Sequence, residues 1–331
     1  MNKLNVALVA GGYSGEYAIS VKTAVTIEKN LDSALYNVFK IIIDRNAWLY
    51  TDASGTNYEV NRKDFTLDLP HGCISFDVAF IAVHGTPGED GKLQGYFDML
   101  SLPYTSCNAI VAGLTFNKIF CNRVVAQSGI VNVAKSLHVL KDRPISAEKI
   151  QAELGLPVFV KPAEGGSSLA TTKVKKWEDL PAALTSVWQI ESQAMIEAYV
   201  KGREFSIGVY RTEGQLKALP LTEIISSKEF FDYEAKYTSG ITNEVTPAVV
   251  TESVSTEIAS KAKAIYDLLN CKGICRIDFI LEEESNDIYF LEINTIPGQS
   301  DNSIVPQQVQ AAGMTLSTFY TSLIREALKS S

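Results

Sequence analysis

Basic residues and histidines are few in this sequence. The chain of 331 residues has 30 lysines and arginines against 38 aspartates and glutamates, so its formal net charge is −8. Because no basic stripe offsets that charge, no general affinity for nucleic acid is expected. The three histidines argue against a metal site built mainly from imidazole ligands.

Paired cysteines and long apolar runs are also missing. The five cysteines contain no C-x-x-C pair and lie mostly in apolar contexts, which predicts reduced core residues of a cytoplasmic protein. They are Cys73, Cys107, Cys121, Cys271 and Cys275. The first strand begins almost at once and is soon interrupted by glycines, which does not fit a signal peptide. No apolar run approaches the length of a membrane span, so no membrane partner is expected.

What is present is an ordinary globular composition with α/β patterning. Hydrophobic residues make up 46% and charged residues 21%, and the length suffices for two or three domains. Residues 4–10 read as an apolar strand, a helix follows with Ser20 as a candidate N-cap, and further strands are predicted over 38–43 and 77–83. This order predicts a small doubly wound parallel sheet that gathers ligands at the carboxyl ends of its strands.

The turn after the first strand admits two interpretations. Ala10-x-Gly12-x-x-Gly15 is one residue short of the dinucleotide fingerprint G-x-G-x-x-G, and Asp44 is a candidate to bind a ribose. Glu16 counts against a dinucleotide, because a carboxylate at the start of the helix would repel a pyrophosphate there. Glu16 is better suited to a cationic group such as a substrate ammonium.

Two alternating segments near the C-terminus predict a β-hairpin. Residues 273–281 and 288–294 both alternate in polarity, and an acidic, polar link joins them. Side chains two positions apart in a strand share a face, so each segment presents two polar groups on one side. These four residues are Arg276, Asp278, Glu292 and Asn294.

If the two polar faces coincide, oxygens of Asp278, Glu292 and Asn294 converge beside the Arg276 guanidinium. Oxygen ligands without histidine or cysteine suit a hard ion such as Mg2+. The turn over 295–298 adds backbone N–H groups, which together indicate a site for phosphoryl transfer and oxyanion stabilisation. The alternative is a set of polar residues on the solvated face of a half-buried hairpin.

Lysines and a loop of small residues occupy the middle of the chain. The predicted strand over 156–162 carries Lys161 near its end, and the loop 163–170 is rich in glycine and serine, so its backbone can approach phosphates closely. The lysine precedes the glycines, so this is not a Walker A loop, and a surface turn is the alternative. A helix predicted over 117–127 begins with Lys118.

Two glutamates and a long irregular segment complete the set of candidates. Glu197 and Glu204 lie on predicted strands and are candidates for hydrogen bonds to adenine and ribose, although either could be an exposed strand residue. Residues 226–247 are polar and aromatic with little periodicity, which predicts a lid that packs onto a ligand and excludes water.

Seven separated motifs occur in an order that resembles the D-alanine–D-alanine ligase family, ATP-grasp enzymes of peptidoglycan precursor synthesis. They are GGYSGEYAIS (11–20), HGTPGEDGKLQG (84–95), VFVKPAEGGSS (158–168), DYEAKY (232–237), RIDFIL (276–281), LEINTIPG (291–298) and NSIVP (302–306). The resemblance covers nearly the whole chain.

The resemblance implies a three-domain ATP-grasp fold in which the central and C-terminal domains clamp ATP. The domains are expected at residues 1–110, 111–200 and 201–331, the last with the lid over 226–247. The resemblance also implies ATP as co-substrate, D-alanine as substrate, Mg2+ or Mn2+ as two bound ions, and a homodimer.

The resemblance further implies the chemistry and the residues that perform it. In such ligases one D-alanine carboxylate attacks the γ-phosphate of ATP, and the amine of a second D-alanine attacks the resulting acyl phosphate. The ATP contacts fall on Lys118, Lys161, Ser168, Glu197, Tyr199, Val200, Glu204 and Lys236, and the metal ligands are Asp278, Glu292 and Asn294. The catalytic and substrate contacts fall on Glu16, His84, Ser167, Tyr237, Arg276, Gly298 and Ser303.

Each of these last residues has an implied role. Glu16 binds the first ammonium group and is linked through Ser167 to Tyr237 of the lid. The Arg276 guanidinium and the Gly298 N–H form the oxyanion hole. His84 lies near the first carboxylate, and Ser303 holds the second one. Tyr237 implies an amine, rather than a hydroxyl, as the second nucleophile.

Two other functions remain as alternatives. One is an ATP-grasp ligase for a different pair of amino acids. The other is a nucleotide-binding regulator without catalysis, which would require a lost lysine or metal ligand, and none is missing from the sequence.

Overall fold

The computed structural model of this chain describes residues 3–166, 169–226 and 242–329. Its strands are β1 Leu4–Gly11, β2 Tyr36–Ile43, β3 Trp48–Thr51, β4 Asn57–Asn61, β5 Thr66–Leu69, β6 Gly72–Ile74, β7 Val78–Ile81, β8 Asn132–Val133, β9 Ser136–Leu140, β10 Val158–Pro162, β11 Thr172–Val174, β12 Gln193–Ala198, β13 Gly202–Thr212, β14 Gln215–Ala218, β15 Thr222–Ser226, β16 Thr242–Val245, β17 Ile274–Glu282 and β18 Ile288–Asn294. Its helices are α1 Tyr17–Asn30, α2 Lys92–Met99, α3 Ala109–Phe116, α4 Lys118–Ser128, α5 Ala147–Glu153, α6 Leu180–Val187, α7 Glu252–Leu268, α8 Ile304–Ala311 and α9 Leu316–Lys329.

The first sheet combines a parallel core with an antiparallel extension. Its strand order is β6-β5-β4-β3-β2-β1-β7, and β1 pairs in parallel with both β2 and β7. The prediction of a parallel sheet is confirmed for these three strands. The strands β3 to β6 are antiparallel neighbours, because the short turns that join them cannot make the crossover that parallel pairing requires.

Helices cover both faces of this sheet, as the α/β pattern predicts. Val6 and Leu8 of β1 belong to a buried cluster that includes residues of α1 and α9. Ala7 and Val9 point the other way, into a cluster with Leu93 of α2. Alternating side chains of one strand therefore fill two separate cores.

One detail of the first helix differs from the prediction. Ser20 is not the N-cap, since α1 begins at Tyr17 after Glu16. The Ser20 hydroxyl is buried, donates to the Ala82 carbonyl at 2.7 Å and accepts the Gly11 N–H at 2.8 Å. It therefore ties the helix to the ends of two strands.

The second sheet is antiparallel and follows the order β11-β10-β12-β9. Its apolar face packs against α5 and α6 through a cluster that includes Ile150, Val160 and Leu184. This unit presents Lys161 on β10 and Glu197 on β12, the two strands at its centre.

The third sheet follows the order β16-β15-β13-β17-β18-β8, and β14 pairs with the far end of β13. Helices α3, α4 and α7 share its core, in which Val111 and Val125 lie in one cluster with Phe205 and Phe279. Apolar residues before and after residue 200 thus belong to a common core. The domain boundaries expected at residues 110 and 200 stay predictions.

Among the described residues, no single helix is long and apolar enough to cross a membrane. Helices α3 and α4 together have the length and composition of a membrane span, but a bend of 98° separates them.

Candidate active site

A cleft of about 1610 Å³ is lined by strand residues of the second and third sheets and by the loops that follow β1 and β7 of the first sheet. Every site residue predicted from the sequence that falls in the described ranges lines it. These residues are Glu16, His84, Lys118, Lys161, Glu197, Tyr199, Val200, Glu204, Arg276, Asp278, Glu292, Asn294, Gly298 and Ser303. Ser167, Ser168, Lys236 and Tyr237, with most of the predicted lid, lie outside the described residues.

The predicted hairpin forms one wall of this cleft. Strands β17 and β18 pair antiparallel, with Arg276 opposite Asn294 and Asp278 opposite Glu292. Directly opposed residues of an antiparallel pair share a face, so the four polar side chains lie on the same side of the sheet. The prediction that the two polar faces coincide is confirmed.

Asp278 and Arg276 form a buried ion pair at the centre of that face. The Arg276 Nη2 lies 2.8 Å from the Asp278 Oδ2, and its Nε lies 3.0 Å from Oδ1. Ser206 of the neighbouring strand donates to Asp278 Oδ1 at 2.6 Å. Burial opposes the charge on Arg276, but Asp278 and Glu292 raise its pKa overall, so a fixed cation is held in the cleft.

The same face offers the ligands of a hard cation. Asp278, Glu292 and Asn294 each offer a side-chain oxygen as a ligand atom, and the Asn294 Oδ1 is oriented by the Ile296 N–H at 2.9 Å. The Asp278 carboxylate still has lone pairs for a metal ion after it accepts hydrogen bonds from the Arg276 guanidinium and the Ser206 hydroxyl. The donor set therefore fits a magnesium-class ion.

His84 is fully hydrogen-bonded to the protein. Its Nδ1 lies 2.9 Å from the Ile296 carbonyl, and its Nε2 lies 3.0 Å from the Thr23 hydroxyl. Because the carbonyl can only accept, Nδ1 carries the proton and Nε2 accepts from Thr23. Burial lowers the pKa of His84, so the ring is neutral. His84 therefore joins α1 to the turn after β18, and its contact with a substrate stays a prediction.

The Glu16 carboxylate lies between two glycine turns. A methyl group added at Gly166 would lie 3.0 Å from Glu16 Oε1, and one added at Gly85 would lie 3.2 Å from Oε2. Gly85 also has a positive φ of 66°, which favours glycine at that position. The loop after β10 and the loop after β7 therefore meet at Glu16, and its role in substrate binding stays a prediction.

Glu89 is a cleft residue that the sequence analysis did not select. Its side chain is buried, and its Oε2 accepts the Gly85 N–H at 2.7 Å. Burial, and then the charge of Glu16, raises the pKa of Glu89 to about 8. The sequence feature that could have identified Glu89 as a site residue is its place in the motif HGTPGEDGKLQG, five residues after His84.

Two lysines line the part of the cleft assigned to phosphates. The Lys161 Nζ lies 2.7 Å from Glu197 Oε2, and Asn122 donates to the other oxygen at 3.2 Å. Burial opposes its charge, but Glu197, Glu292 and Glu204 raise the pKa of Lys161. Lys118 donates to the carbonyl of Gly165, so it contacts the loop after β10.

The turn after β18 leads directly into a helix N-terminus. A methyl group at Gly298 would lie only 2.8 Å from the Ser303 hydroxyl, so these two residues are immediate neighbours. Ser303 is the N-cap of α8 without a side-chain capping bond, and its hydroxyl pairs with that of Ser300 at 2.7 Å. A helix N-terminus of this kind favours an anionic group.

Comparison with known proteins extends over the whole chain. The family description "D-ala D-ala ligase N-terminus" matches residues 5–107, and "D-ala D-ala ligase C-terminus" matches residues 125–325. The D-alanine–D-alanine ligase of Azobacteroides pseudotrichonymphae genomovar. CFP2 is 41% identical over 97% of this chain and 98% of that protein.

Solved structures agree with the sequence comparison. D-alanyl-alanine synthetase A from Vibrio cholerae matches at a TM-score of 0.88 and 26% identity, over 99% of both chains. VanG D-Ala:D-Ser ligase from Enterococcus faecalis matches at a TM-score of 0.87 and 28% identity, over 98% of this chain and 100% of that one.

The three sheets, and a cleft that brings Lys118 and Lys161 together with a carboxylate-bearing hairpin, define an ATP-grasp enzyme of the ligase class. The chain belongs to the D-alanine–D-alanine ligase family. The resemblance seen in the sequence motifs is thereby confirmed.

Proposed function

We propose that this enzyme joins two molecules of D-alanine to D-alanyl-D-alanine for peptidoglycan synthesis, with ATP cleaved to ADP and phosphate. The observation that carries the proposal is the shared face of Arg276, Asp278, Glu292 and Asn294, beside the Gly298 turn. That face brings a cation, a hard-metal donor set and backbone N–H groups to one wall of the cleft.

The first step requires a carboxylate and a triphosphate to meet. Lys118 and Lys161, with Lys236, neutralise the phosphates, while Glu197, Tyr199, Val200 and Glu204 hold the adenosine. Asp278, Glu292 and Asn294 would hold Mg2+ or Mn2+, as two ions, and a metal bound there would neutralise charge on the transferring phosphoryl group. Glu16 anchors the first ammonium group, so the carboxylate oxygen attacks the γ-phosphorus and ADP leaves.

The second step is attack on the acyl phosphate. The deprotonated amine of the second D-alanine forms the C–N bond, and the C–O bond to phosphate then breaks. The Arg276 guanidinium and the Gly298 N–H stabilise the oxyanion that forms between these events. Ser303 and the N-terminus of α8 hold the carboxylate of the second D-alanine. The family resemblance implies a chain of hydrogen bonds from Glu16 through Ser167 to Tyr237 of the lid, although positions 167 and 237 lie outside the described residues.

The proposal is tested by measuring ADP release with D-alanine and with L-alanine. Turnover is expected with D-alanine only, and equal turnover with both would exclude the proposed substrate. Mass spectrometry of the product distinguishes ligation from futile ATP hydrolysis.

Glu292→Gln tests the metal site. The variant is expected to bind Mg2+ more weakly and to lose at least about 100-fold in kcat, because one charged ligand becomes neutral. Glu283→Gln, in the exposed loop of the same hairpin, is the matched control and should retain full activity. Near-normal turnover by Glu292→Gln would show that the metal ligands lie elsewhere.

A different second substrate is the runner-up, because one structure of high similarity is a D-Ala:D-Ser ligase. Competition between D-alanine, D-serine and D-lactate in a product assay separates the possibilities. D-lactate should be outcompeted, since Tyr237 is expected to favour an amine nucleophile. D-serine also attacks through an amine, so the ratio of D-alanyl-D-alanine to D-alanyl-D-serine product decides between the two amino acids. A homodimer that works in the cytoplasm completes the proposal, and sedimentation of the pure protein measures its assembly.

A further inference from the structure

Three buried cysteines from distant parts of the chain meet in the core of the third sheet. Cys107 precedes α3, whereas Cys271 and Cys275 flank the turn between α7 and β17. Their sulfur atoms all lie within 4.8 Å of one another, and the sulfurs of Cys107 and Cys275 are 3.6 Å apart. None of the three takes part in the proposed ligation.

The spacing of the sulfurs matches that of metal thiolates. Two sulfurs bound at about 2.3 Å to a tetrahedral zinc are about 3.8 Å apart, close to the observed separation of Cys107 and Cys275. Cys271 and Cys275 are separated by three residues, which is within the C-x2–4-C spacing of zinc-binding turns.

The backbone around the turn holds the three residues in place. Gly273 has a positive φ of 66°, and a methyl group there would lie 2.2 Å from the Thr105 carbonyl, so the turn is pressed against the segment that carries Cys107. The Lys272 N–H donates to the Cys107 sulfur at 3.3 Å. Donation from a backbone N–H supports a thiolate, and outer hydrogen bonds of this kind orient metal ligands.

We propose that Cys107, Cys271 and Cys275 form a three-thiolate site for one soft divalent cation of the zinc class. The Lys272 carbonyl lies 3.3 Å from the Cys107 sulfur and 3.9 Å from the Cys275 sulfur, so it is placed to supply a fourth ligand. Binding replaces the thiol protons by the metal. A cation there would fasten the start of α3 to the strand that carries Arg276, independently of the magnesium site.

The test is a Co2+ titration of the metal-free, reduced, full-length protein. One equivalent is expected to bind, with the d–d bands of tetrahedral cobalt, thiolate-to-cobalt charge transfer and release of up to three protons, one per thiol. Zn2+ should displace the cobalt, and a large excess of Mg2+ should not. A folded protein that gives neither bands nor proton release would overturn the proposal in favour of three reduced core thiols.

Cysteine variants locate the site. Cys107→Ser and Cys275→Ser should each abolish the charge-transfer band, whereas Cys121→Ser should keep it. Cys121 is the matched control because it is buried in the same core but is outside the cluster of three. Loss of the band in Cys121→Ser alone would also contradict the assignment. The wild-type titration decides the question even if a variant fails to fold.

Discussion

At the scale of single residues, the cleft is organised by polar side chains whose partners are fixed before any ligand binds. Lys161 is paired with Glu197, Arg276 with Asp278, and His84 is held between a hydroxyl and a carbonyl. Buried charges of this kind are tolerated only when they are paired and hydrogen-bonded. The two ion pairs therefore preorganise Lys161 and Arg276, which the proposed reaction uses.

Lys161→Met is the first prediction at this scale. Removal of the ammonium leaves the buried Glu197 carboxylate, within the described part of the chain, with the Asn122 amide alone, so the free energy of unfolding should fall by about 3–5 kcal/mol. Urea unfolding measures the loss. The double variant Lys161→Met, Glu197→Leu should recover much of it, because no unpaired charge then remains. An unchanged midpoint in the single variant would contradict the pairing.

At the scale of secondary structure elements, turns and caps place the functional groups at the ends of helices and strands. Asn117 is the N-cap of α4, accepts the Phe120 N–H at 3.2 Å and donates to Glu164 at 3.2 Å. It thus connects the helix that begins with Lys118 to the loop after β10. The helix that begins with one predicted phosphate contact is therefore fixed against the loop that follows Lys161, another predicted phosphate contact.

Asn117→Ala is the prediction at this scale. Loss of the cap should lower the free energy of unfolding by about 0.5–2 kcal/mol and weaken ATP binding, because Lys118 and the loop are no longer held together. Asn108→Ala is the matched control, since Asn108 caps the preceding helix by accepting the Val111 N–H at 3.0 Å. The control should lose similar stability but keep its nucleotide affinity, as measured by calorimetry. Equal loss of affinity in both variants would assign the effect to folding alone.

At the scale of the whole molecule, the N-terminal and C-terminal parts share one core. Val6 and Leu8 of the first sheet lie in the same cluster as Ile274 and Phe319. Polar contacts continue this connection at the cleft, where the Gln299 N–H donates to the Thr23 hydroxyl at 3.4 Å. The walls that carry Glu16 and Gly298 are therefore parts of a continuous structure.

Glu89→Gln is the prediction for the whole molecule, because Glu89 affects how the free energy of unfolding of the whole protein depends on pH. The pKa of Glu89 is raised from 4.5 to about 8 by burial and by Glu16, so the folded protein holds a proton that the unfolded chain releases. The free energy of unfolding should therefore fall as the pH rises from 4.5 to about 8. The slope of that fall is on the order of 1.4 kcal/mol for each pH unit. Above pH 8 Glu89 is ionised in the folded and the unfolded protein alike, so the free energy of unfolding falls no further from this cause.

Glu89→Gln removes this titration while keeping an oxygen for the Gly85 N–H. The variant should be more stable than the wild type above pH 8, and the difference should shrink towards pH 4.5. Thermal unfolding across this range measures it. The exposed Glu178→Gln should leave the pH profile unchanged. A parallel profile for Glu89→Gln and wild type would show that Glu89 is already ionised in the folded protein.

Local patterns in the sequence determined the individual elements and most of the candidate residues. Alternation in the hairpin predicted that Arg276, Asp278, Glu292 and Asn294 would share a face, because the period of a strand fixes which side chains point together. The separated motifs were enough to indicate the family.

The tertiary structure decided what depends on contacts between distant residues. The antiparallel extension of the first sheet, the role of Ser20 inside α1, the two partners of His84 and the burial of Glu89 all arise from segments that meet only after folding. The meeting of Cys107 with Cys271 and Cys275 has the same origin. Periodicity describes which face a side chain occupies, but the group opposite that face is set by packing over the whole chain.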